Sequence, residues 1–496
     1  MDGRAPRLLV LLLWLTGAIC VQGCGGGGGA PTIAGSGGGT SSGAGTGGTQ
    51  NAGGSGTSGG GSSGGVGATG GATGGAGGRG SGGFTSGAAG GQRGGGGAGA
   101  TGGVRGSGGA GVTGGSPGGG GGMGGAAAVS CGAGGSGPLG GLPKQADVLA
   151  LMRLANAYFV QKWPDPTVNI SGGHPSNIWT RAVYYEGLMG LYGVESDATR
   201  KQAYYDYAVT WGASPTHPWQ LAYGGTTTRD ANDQCCGQTY LDLDAIDAQA
   251  VRVADITADI QGMVSSSASG DWTWVDAIQM SMPVFAKLGV LDGDTATFAK
   301  MHALYDGTRT TQGLYNATDG LWWRDATFKP PFMTPNGKPC YWSRGNGWVF
   351  AALARTLDII PATAVGRAEY LADFTAMASA LGKLQRLDGF WNVSLVDPDD
   401  HGGPELTGTA LFTYGMALGV REGLLDGNVY GPILGKAWCA LASAIHTSGA
   451  LGYAQGSGSK PADGQPVTFD SVPDYIDFPL GCILLGASEV SKIASP

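Results

Sequence analysis

Asp271-Trp272-Thr273-Trp274-Val275-Asp276-Ala277-Ile278-Gln279-Met280-Ser281-Met282-Pro283-Val284-Phe285 passes directly from a polar, aromatic entry into an apolar stripe. Val275, Ile278, Met282 and Phe285 are three and four residues apart, which places them on one face of an α-helix. Pro283 is expected to kink that helix, since it has no N–H to donate and its ring crowds the preceding turn. The same plan recurs along the chain. Val148, Leu151, Met152, Ala155 and Phe159 form one stripe, and Tyr204, Tyr207, Ala208 and Trp211 form another. Others run through Val349, Leu353 and Leu357, through Leu411, Met416 and Val420, and through Ile483, Leu484 and Ala487. Convincing alternating strands are missing. About a dozen helical segments, joined by loops rich in Gly, Pro, Asp and Asn, predict an all-α domain built from helical hairpins.

That many helices in one large domain suit an (α/α)6 barrel, an inner ring wrapped by an outer one. A bare helical solenoid is the alternative, although no fixed repeat period is visible. In such a barrel the loops entering the inner helices are the natural site, because free backbone N–H groups and the positive helix end favour anions. The polar and aromatic clusters of this chain stand just before its apolar stripes, as that plan requires.

The 496 residues include 101 glycines, most of them before Leu142. Residues 25–140 are Gly, Ser, Thr and Ala with scattered Arg, too poor in apolar side chains to offset the entropy of folding. They read as a flexible tether without a Gly-X-Y period, averaging roughly 60 Å end to end as a coil. Before it, Arg4 and Arg7 precede the apolar run Leu8 to Leu15, then small residues, Cys20 and Cys24. A basic start and an apolar run too short to span a bilayer make residues 1–24 an export signal. Val21-Gln22-Gly23-Cys24 resembles a bacterial lipoprotein cleavage box with Cys24 as the lipidated residue, though Gln22 departs from the small residue usual there. A plain cleaved signal is the other reading. The chain would then sit in a bacterial cell envelope through a lipid anchor, or be secreted.

Residues 141–496 form one domain, large enough to bury a substantial core. A net charge of −8 with scattered Lys and Arg leaves no nucleic-acid footprint. The later cysteines, Cys131, Cys235, Cys236, Cys340, Cys439 and Cys482, include no C-x-x-C or Cys/His cluster with metal-ligand spacing. Cys235-Cys236 reads as two packed thiols rather than a vicinal bridge. No nucleophile elbow, Walker loop or dinucleotide fingerprint stands in the right context.

Four clusters could carry chemistry. In Asp271 to Asp276, Asp276 either complements the helix dipole or acts in a site. Trp272 and Trp274 beside it would exclude water, raise its carboxyl pKa and offer flat faces to a sugar. In Arg229-Asp230-Ala231-Asn232-Asp233-Gln234, Asp230 or Asp233 is either a helix cap or a second carboxylate. Two carboxyl groups in different environments are the usual means of glycoside hydrolysis. Tyr341-Trp342-Ser343-Arg344-Gly345-Asn346-Gly347-Trp348 offers stacking and anion-binding groups, and a guanidinium between tryptophans suits a carboxylated sugar. Pro404-Glu405-Leu406-Thr407-Gly408-Thr409-Ala410 is a site loop or an ordinary helix start. The run Asp397, Asp399, Asp400 and His401 reads as a solvated loop rather than a calcium site.

Taken in order, these clusters resemble the unsaturated rhamnogalacturonyl hydrolases and their relatives, the unsaturated glucuronyl hydrolases. The strongest elements are Asp276-Ala277-Ile278-Gln279-Met280 and Trp342 to Trp348. Asp388-Gly389-Phe390-Trp391, Pro404 to Ala410 and Gly452-Tyr453 follow in the expected order. The resemblance covers nearly all of the folded part and implies an (α/α)6 barrel. It also implies hydration of the enol-ether sugar left by polysaccharide lyases, with no metal or organic cofactor. An Asp gives a proton to C4, water adds at C5, and the hemiketal opens to release the aglycone. Carried over by position, Asp276 is the general acid/base and Asp233 the second acidic group, while Trp342, Arg344 and Trp348 match substrate-contacting positions. Trp274 is a further substrate-binding candidate through its flat face beside Asp276. Arg324, in Leu321-Trp322-Trp323-Arg324-Asp325, stands where relatives often have His, and so bears on the uronate carboxylate or the neighbouring sugar. Asn232 stands where some relatives are acidic. The implied partner is an oligosaccharide ending in an unsaturated uronic acid. The alternatives are another (α/α)6 carbohydrate-active enzyme, a saturated glycosidase or a sugar epimerase, or a non-catalytic glycan-binding lipoprotein.

Overall fold

The computed structural model describes residues 139–496 apart from 171, 172 and 226. The expected export signal, Cys24, Cys131 and the tether up to residue 138 lie outside the described residues.

The helices come in pairs along the chain. α1 (Gln145–Lys162) is followed by α2 (Trp179–Val194), and α3 (Ala198–Gly212) by the short α4 (Ala231–Gln234), which leads into α5 (Gly237–Ile246). Then come α6 (Ala250–Ser265) with α7 (Asp276–Asp292), and α8 (Thr295–Asp306) with α9 (Ser343–Ile359). α10 (Arg367–Leu384) precedes α11 (Leu406–Arg421), and α12 (Gly427–Ser443) precedes α13 (Asp477–Ile493). The second member of each pair is buried almost all round. These six, α2, α5, α7, α9, α11 and α13, each pack on the next, and α13 packs back on α2 to close a ring. The first members lie outside, burying only a stripe, as Val148, Leu151, Met152, Ala155 and Phe159 do in α1. The arrangement is the (α/α)6 barrel.

Local sequence sets the element ends. Asp197, Asp230, Asp294 and Asp426 cap α3, α4, α8 and α12 by accepting a backbone N–H. α7 continues through Pro283 and ends at Gly293, whose φ of 63° is left-handed. Where the ring closes, Gly187 of α2 and Gly481 of α13 let the backbones touch, since a Cβ on Gly187 would lie 2.5 Å from the Gly481 carbonyl oxygen. The seam continues outside the ring: Gln145 N–H donates to the Ser495 carbonyl at 2.9 Å, and Lys144 pairs with Ser495 as an isolated bridge. Two hairpins of two-residue strands, β1 (Tyr315–Asn316) with β2 (Leu321–Trp322) and β3 (Trp391–Asn392) with β4 (Pro404–Glu405), decorate the loops entering α9 and α11.

The centre of the ring is polar. Glu186 of α2 accepts from Gln238 of α5 at 3.1 Å, Gln279 of α7 at 2.9 Å and Arg355 of α9 at 2.6 Å. Arg355 Nε also donates to the Tyr414 hydroxyl of α11 at 3.3 Å. One hydrogen-bonded hub thus joins five inner helices, a device that fixes their relative heights. Cys235 and Cys236 are buried free thiols, and the Cys235 thiol donates to Glu186 at 3.4 Å.

Candidate active site

The loops entering the inner helices hold the residues singled out above. Asp276 is the first residue of α7, Ser343 the first of α9, and Asp233 lies in α4 just ahead of α5. The cap of α4 is Asp230, which accepts from Asn232 N–H at 2.9 Å, leaving Asp233 for another use. Asp233 is 9% exposed and accepts from the Thr228 hydroxyl. Burial pushes its carboxyl up to about 6, the negative charges of Asp230 and Asp259 add to this, and Thr228 offsets part of it.

The two tryptophans ahead of Asp276 have different fates. Trp272 is fully buried, edge-on to Phe285 with ring centroids 5.9 Å apart, and its carbonyl accepts from Thr308 and Gln312. Trp274 is half-buried and pairs with Asp325 as an isolated antiparallel bridge. The sequence predicts an apolar, water-excluding setting for Asp276. The structure adds a cation instead: Asp276 is 6% exposed and its Oδ2 receives the Arg324 Nε at 3.0 Å. Arg324 Nη1 also donates to Asp325 Oδ2 at 2.8 Å. Val275 N–H donates to the Arg324 carbonyl at 2.9 Å, so the two loops are fastened by backbone as well as by charge.

The octet before and within α9 is deeply placed. Trp342, Arg344 and Trp348 are each 1% exposed. The Arg344 guanidinium lies between Trp342 and Phe478, 4.5 and 4.9 Å from their ring centroids, rather than between two tryptophans. Its two Nη atoms donate to the carbonyls of Gln455 and Gly456 at 2.9 and 2.7 Å. Trp342 Nε1 donates to Gln455 Oε1 at 2.8 Å. Asn346 joins β2 to α9, accepting from Trp322 N–H at 2.8 Å and donating to the Trp322 carbonyl at 3.0 Å. Glu405 caps α11, accepting from Thr407 N–H at 2.9 Å and Gly408 N–H at 2.6 Å, which settles that cluster as a helix start. Asp397 is not solvated as its run suggests. It is 2% exposed and held by Thr334 and by Asn336 at 3.0 Å.

The structure thus gathers Asp276, Arg324 and Trp274 at one loop junction. The neighbouring loop, tied on by an Arg229–Asp271 ion pair at 2.6 Å, leads into Asp233 in α4. Gln455, Gly456 and Phe478, which set the octet in place, follow it by more than a hundred residues and carry no local signature. Neither does Thr228. Among the described residues no group of three or more His, Cys, Asp or Glu is arranged to hold a metal ion, and no helix is long and apolar enough to cross a membrane.

Comparison with known proteins agrees with the barrel. An unsaturated 3S-rhamnoglycuronyl hydrolase of Formosa agariphila is 37% identical over 235 residues, 46% of this chain and 60% of that protein. The aligned part therefore spans less than two thirds of this curated relative. A solved glycosyl hydrolase family 88 protein from Bacteroides vulgatus is 32% identical with a TM-score of 0.63, covering 71% of this chain and 99% of that one. A solved protein described as a polysaccharide lyase is 30% identical with a TM-score of 0.63, covering 70% and 98%. Residues 151–494 match Glycosyl Hydrolase Family 88, and on that match over most of its length this chain belongs to Glycosyl Hydrolase Family 88.

Proposed function

We propose that this chain removes a terminal 4,5-unsaturated uronic acid from lyase-generated oligosaccharides by hydrating the enol-ether double bond. The observation that carries the reading is a pair of buried carboxyls of unlike setting at the inner-helix entries. Asp233 is held up to about 6 by burial, and Asp276 is joined to a partly exposed guanidinium. Unlike carboxyls suit a reaction that needs a proton given and a proton taken. The name of the Formosa relative supports the same chemistry. Asp276 gives a proton to C4, water adds at C5 and returns a proton to Asp276, and the hemiketal opens to free the aglycone. Asp233 supplies the second carboxyl, able to change charge near pH 6. Trp274 offers the half-open aromatic face, while Trp342, Arg344 and Trp348 shape the floor beneath. No metal or organic cofactor enters these steps.

The test is the ultraviolet absorbance of lyase products incubated with the purified protein. Loss of the enol-uronate signal with release of the neighbouring sugar supports hydration, and Asp276→Asn should abolish it while keeping the fold. Full activity in that variant would remove Asp276 from the mechanism. A second reading, favoured by the relative described as a lyase, predicts the opposite sign: intact polysaccharide would gain absorbance as double bonds form.

We also propose export, with Cys24 lipidated and residues 25–140 tethering the domain to the cell envelope. The basis is the charged and apolar leader followed by Cys24 and its glycine run. Incorporation of a labelled fatty acid that disappears in Cys24→Ala would support it, and equal labelling of both would sink it.

A further inference from the structure

Three arginines stand near the two carboxyls, and their bonds differ. Arg344 is 1% exposed and both Nη atoms serve buried carbonyls, so turning it toward a ligand would leave Gln455 and Gly456 unpaired. Arg229, 30% exposed, grips the single carboxylate of Asp271 with two bonds, Nε to Oδ1 at 2.8 Å and Nη2 to Oδ2 at 2.6 Å. Such a fork resists exchange because both bonds must break together. Arg324, 24% exposed, divides its guanidinium between two carboxylates with one bond to each, and neither bond uses Nη2. Asp325 is a firm anchor, since its other oxygen accepts from Thr327 N–H at 2.9 Å and Thr327 hydroxyl at 2.5 Å. The bond to Asp276 is the one that can be given up.

We propose that Arg324 receives the substrate carboxylate and reaches it by leaving Asp276, so that the arriving sugar exchanges one ion pair for another and frees the acid. This rests on the hydration reading above. In the empty site Arg324 neutralises Asp276. When the uronate takes the guanidinium, Asp276 loses its ion-pair partner, and its carboxyl is released to face C4. The proton comes from solvent. It passes to C4 as the C4–C5 π pair forms the new C–H bond. Water then adds its oxygen at C5 and gives a proton to the Asp276 carboxylate, which restores the acid. A sugar lacking the carboxylate neither recruits Arg324 nor releases Asp276, so the exchange also selects the substrate class.

The experiment measures binding of a saturated uronyl disaccharide, which has no double bond to hydrate, and of its methyl ester. Wild type, Asp276→Asn, Arg324→Gln and the double variant are compared by calorimetry. Asp276→Asn should bind the acid more tightly by on the order of tenfold and leave the ester unchanged. Arg324→Gln should weaken the acid by roughly tenfold to a hundredfold and spare the ester, which also reports that the fold is intact. In the Arg324→Gln background, Asp276→Asn should no longer tighten the acid. That result separates exchange from simple relief of repulsion between two anions. Equal weakening of acid and ester by Arg324→Gln, or unchanged or weaker acid binding in Asp276→Asn, would overturn the proposal. Hydrolysis of the saturated disaccharide, or an unchanged enol signal with wild type on lyase products, would instead strike at the hydration reading itself.

Discussion

Arg229 and Asp271 meet edge to edge in a two-bond ion pair, 2.8 and 2.6 Å, that ties the loop entering α4 to the loop entering α7. The first loop carries Asp233 and the second carries Asp276. Their relative placement therefore depends on a pair that need not touch substrate. Arg229 itself has a left-handed φ of 53°, a conformation that costs a non-glycine residue about 1–3 kcal/mol and persists only where its surroundings hold it.

Arg229→Ala and Asp271→Ala should each lower kcat/KM by about tenfold or more while changing stability less. A double-mutant cycle on kcat/KM should return a coupling of about 1–2 kcal/mol. Additive effects of the two substitutions would show that the pair does not act as a unit.

Asp233 sets a pH dependence of definite sign. In the unfolded chain its carboxyl ionises near the ordinary 3.8, and in the folded protein near about 6. Between those values the unfolded state holds fewer protons, so its share of stability is lost as pH rises from about 4 to 6, by at most about 3 kcal/mol. Asn keeps an oxygen for the Thr228 hydroxyl but cannot ionise. Asp233→Asn should therefore gain stability over wild type at pH 7 relative to pH 4, read by urea unfolding at both. It should also erase any inflection of kcat/KM near pH 6. An unchanged stability difference between the two pH values would contradict the raised carboxyl.

Gly408 sits where the starts of α9 and α11 touch. A Cβ there would run into the Ser343 hydroxyl and lie 3.0 Å from both the Ser343 carbonyl carbon and Glu405 Oε2. Gly408→Ala should destabilise by about 1–3 kcal/mol through this overpacking. Because Ser343 opens the helix that carries Arg344, activity should fall as well. Ser343→Gly in the same chain should restore part of both, and thermal unfolding with initial rates would detect it.

The polar hub makes Arg355 hard to remove. Burial raises the Glu186 carboxyl above its ordinary range even with Arg355 at 2.6 Å pulling it down. Arg355→Met would leave that carboxyl buried without its cation, at a loss of about 3–5 kcal/mol. The raised group is penalised once pH passes the unfolded carboxyl's range, so the loss should be larger at pH 8 than at pH 5. Glu186→Gln added to Arg355→Met should flatten this difference. A pH-independent loss would place the defect in packing rather than charge.

The sequence showed the barrel because each inner helix announces itself locally, as Val275, Ile278, Met282 and Phe285 do. Asp276 was legible for the same reason, standing where a polar entry meets an apolar stripe. Trp272 and Trp274 were not separable, since residues two apart in an extended entry are expected on the same face, and only the packing decides which meets Phe285 and which pairs with Asp325. The partners of Asp276 and Arg344 were hidden by distance along the chain. Arg324 follows Asp276 by 48 positions, and Gln455 follows Arg344 by 111. Closing the ring brings these together, and no local spacing records it. The hairpins escaped notice because two-residue strands are too short to show an alternation.

The seam between Gln145 and Ser495 gives this domain an unusual mechanics. Among the described residues the first and last helices are neighbours, with α1 lying on α13 and α13 on α2 where the hoop closes. Tension applied between residues 139 and 496 would load that outer seam first, and the hoop springs open only when the α2–α13 closure inside it also yields. The order in which the chain visits the hoop is correspondingly free. Joining residue 496 back to residue 142 and cutting beside Leu387, which is 97% exposed, would start the polypeptide at a different point on the same circle.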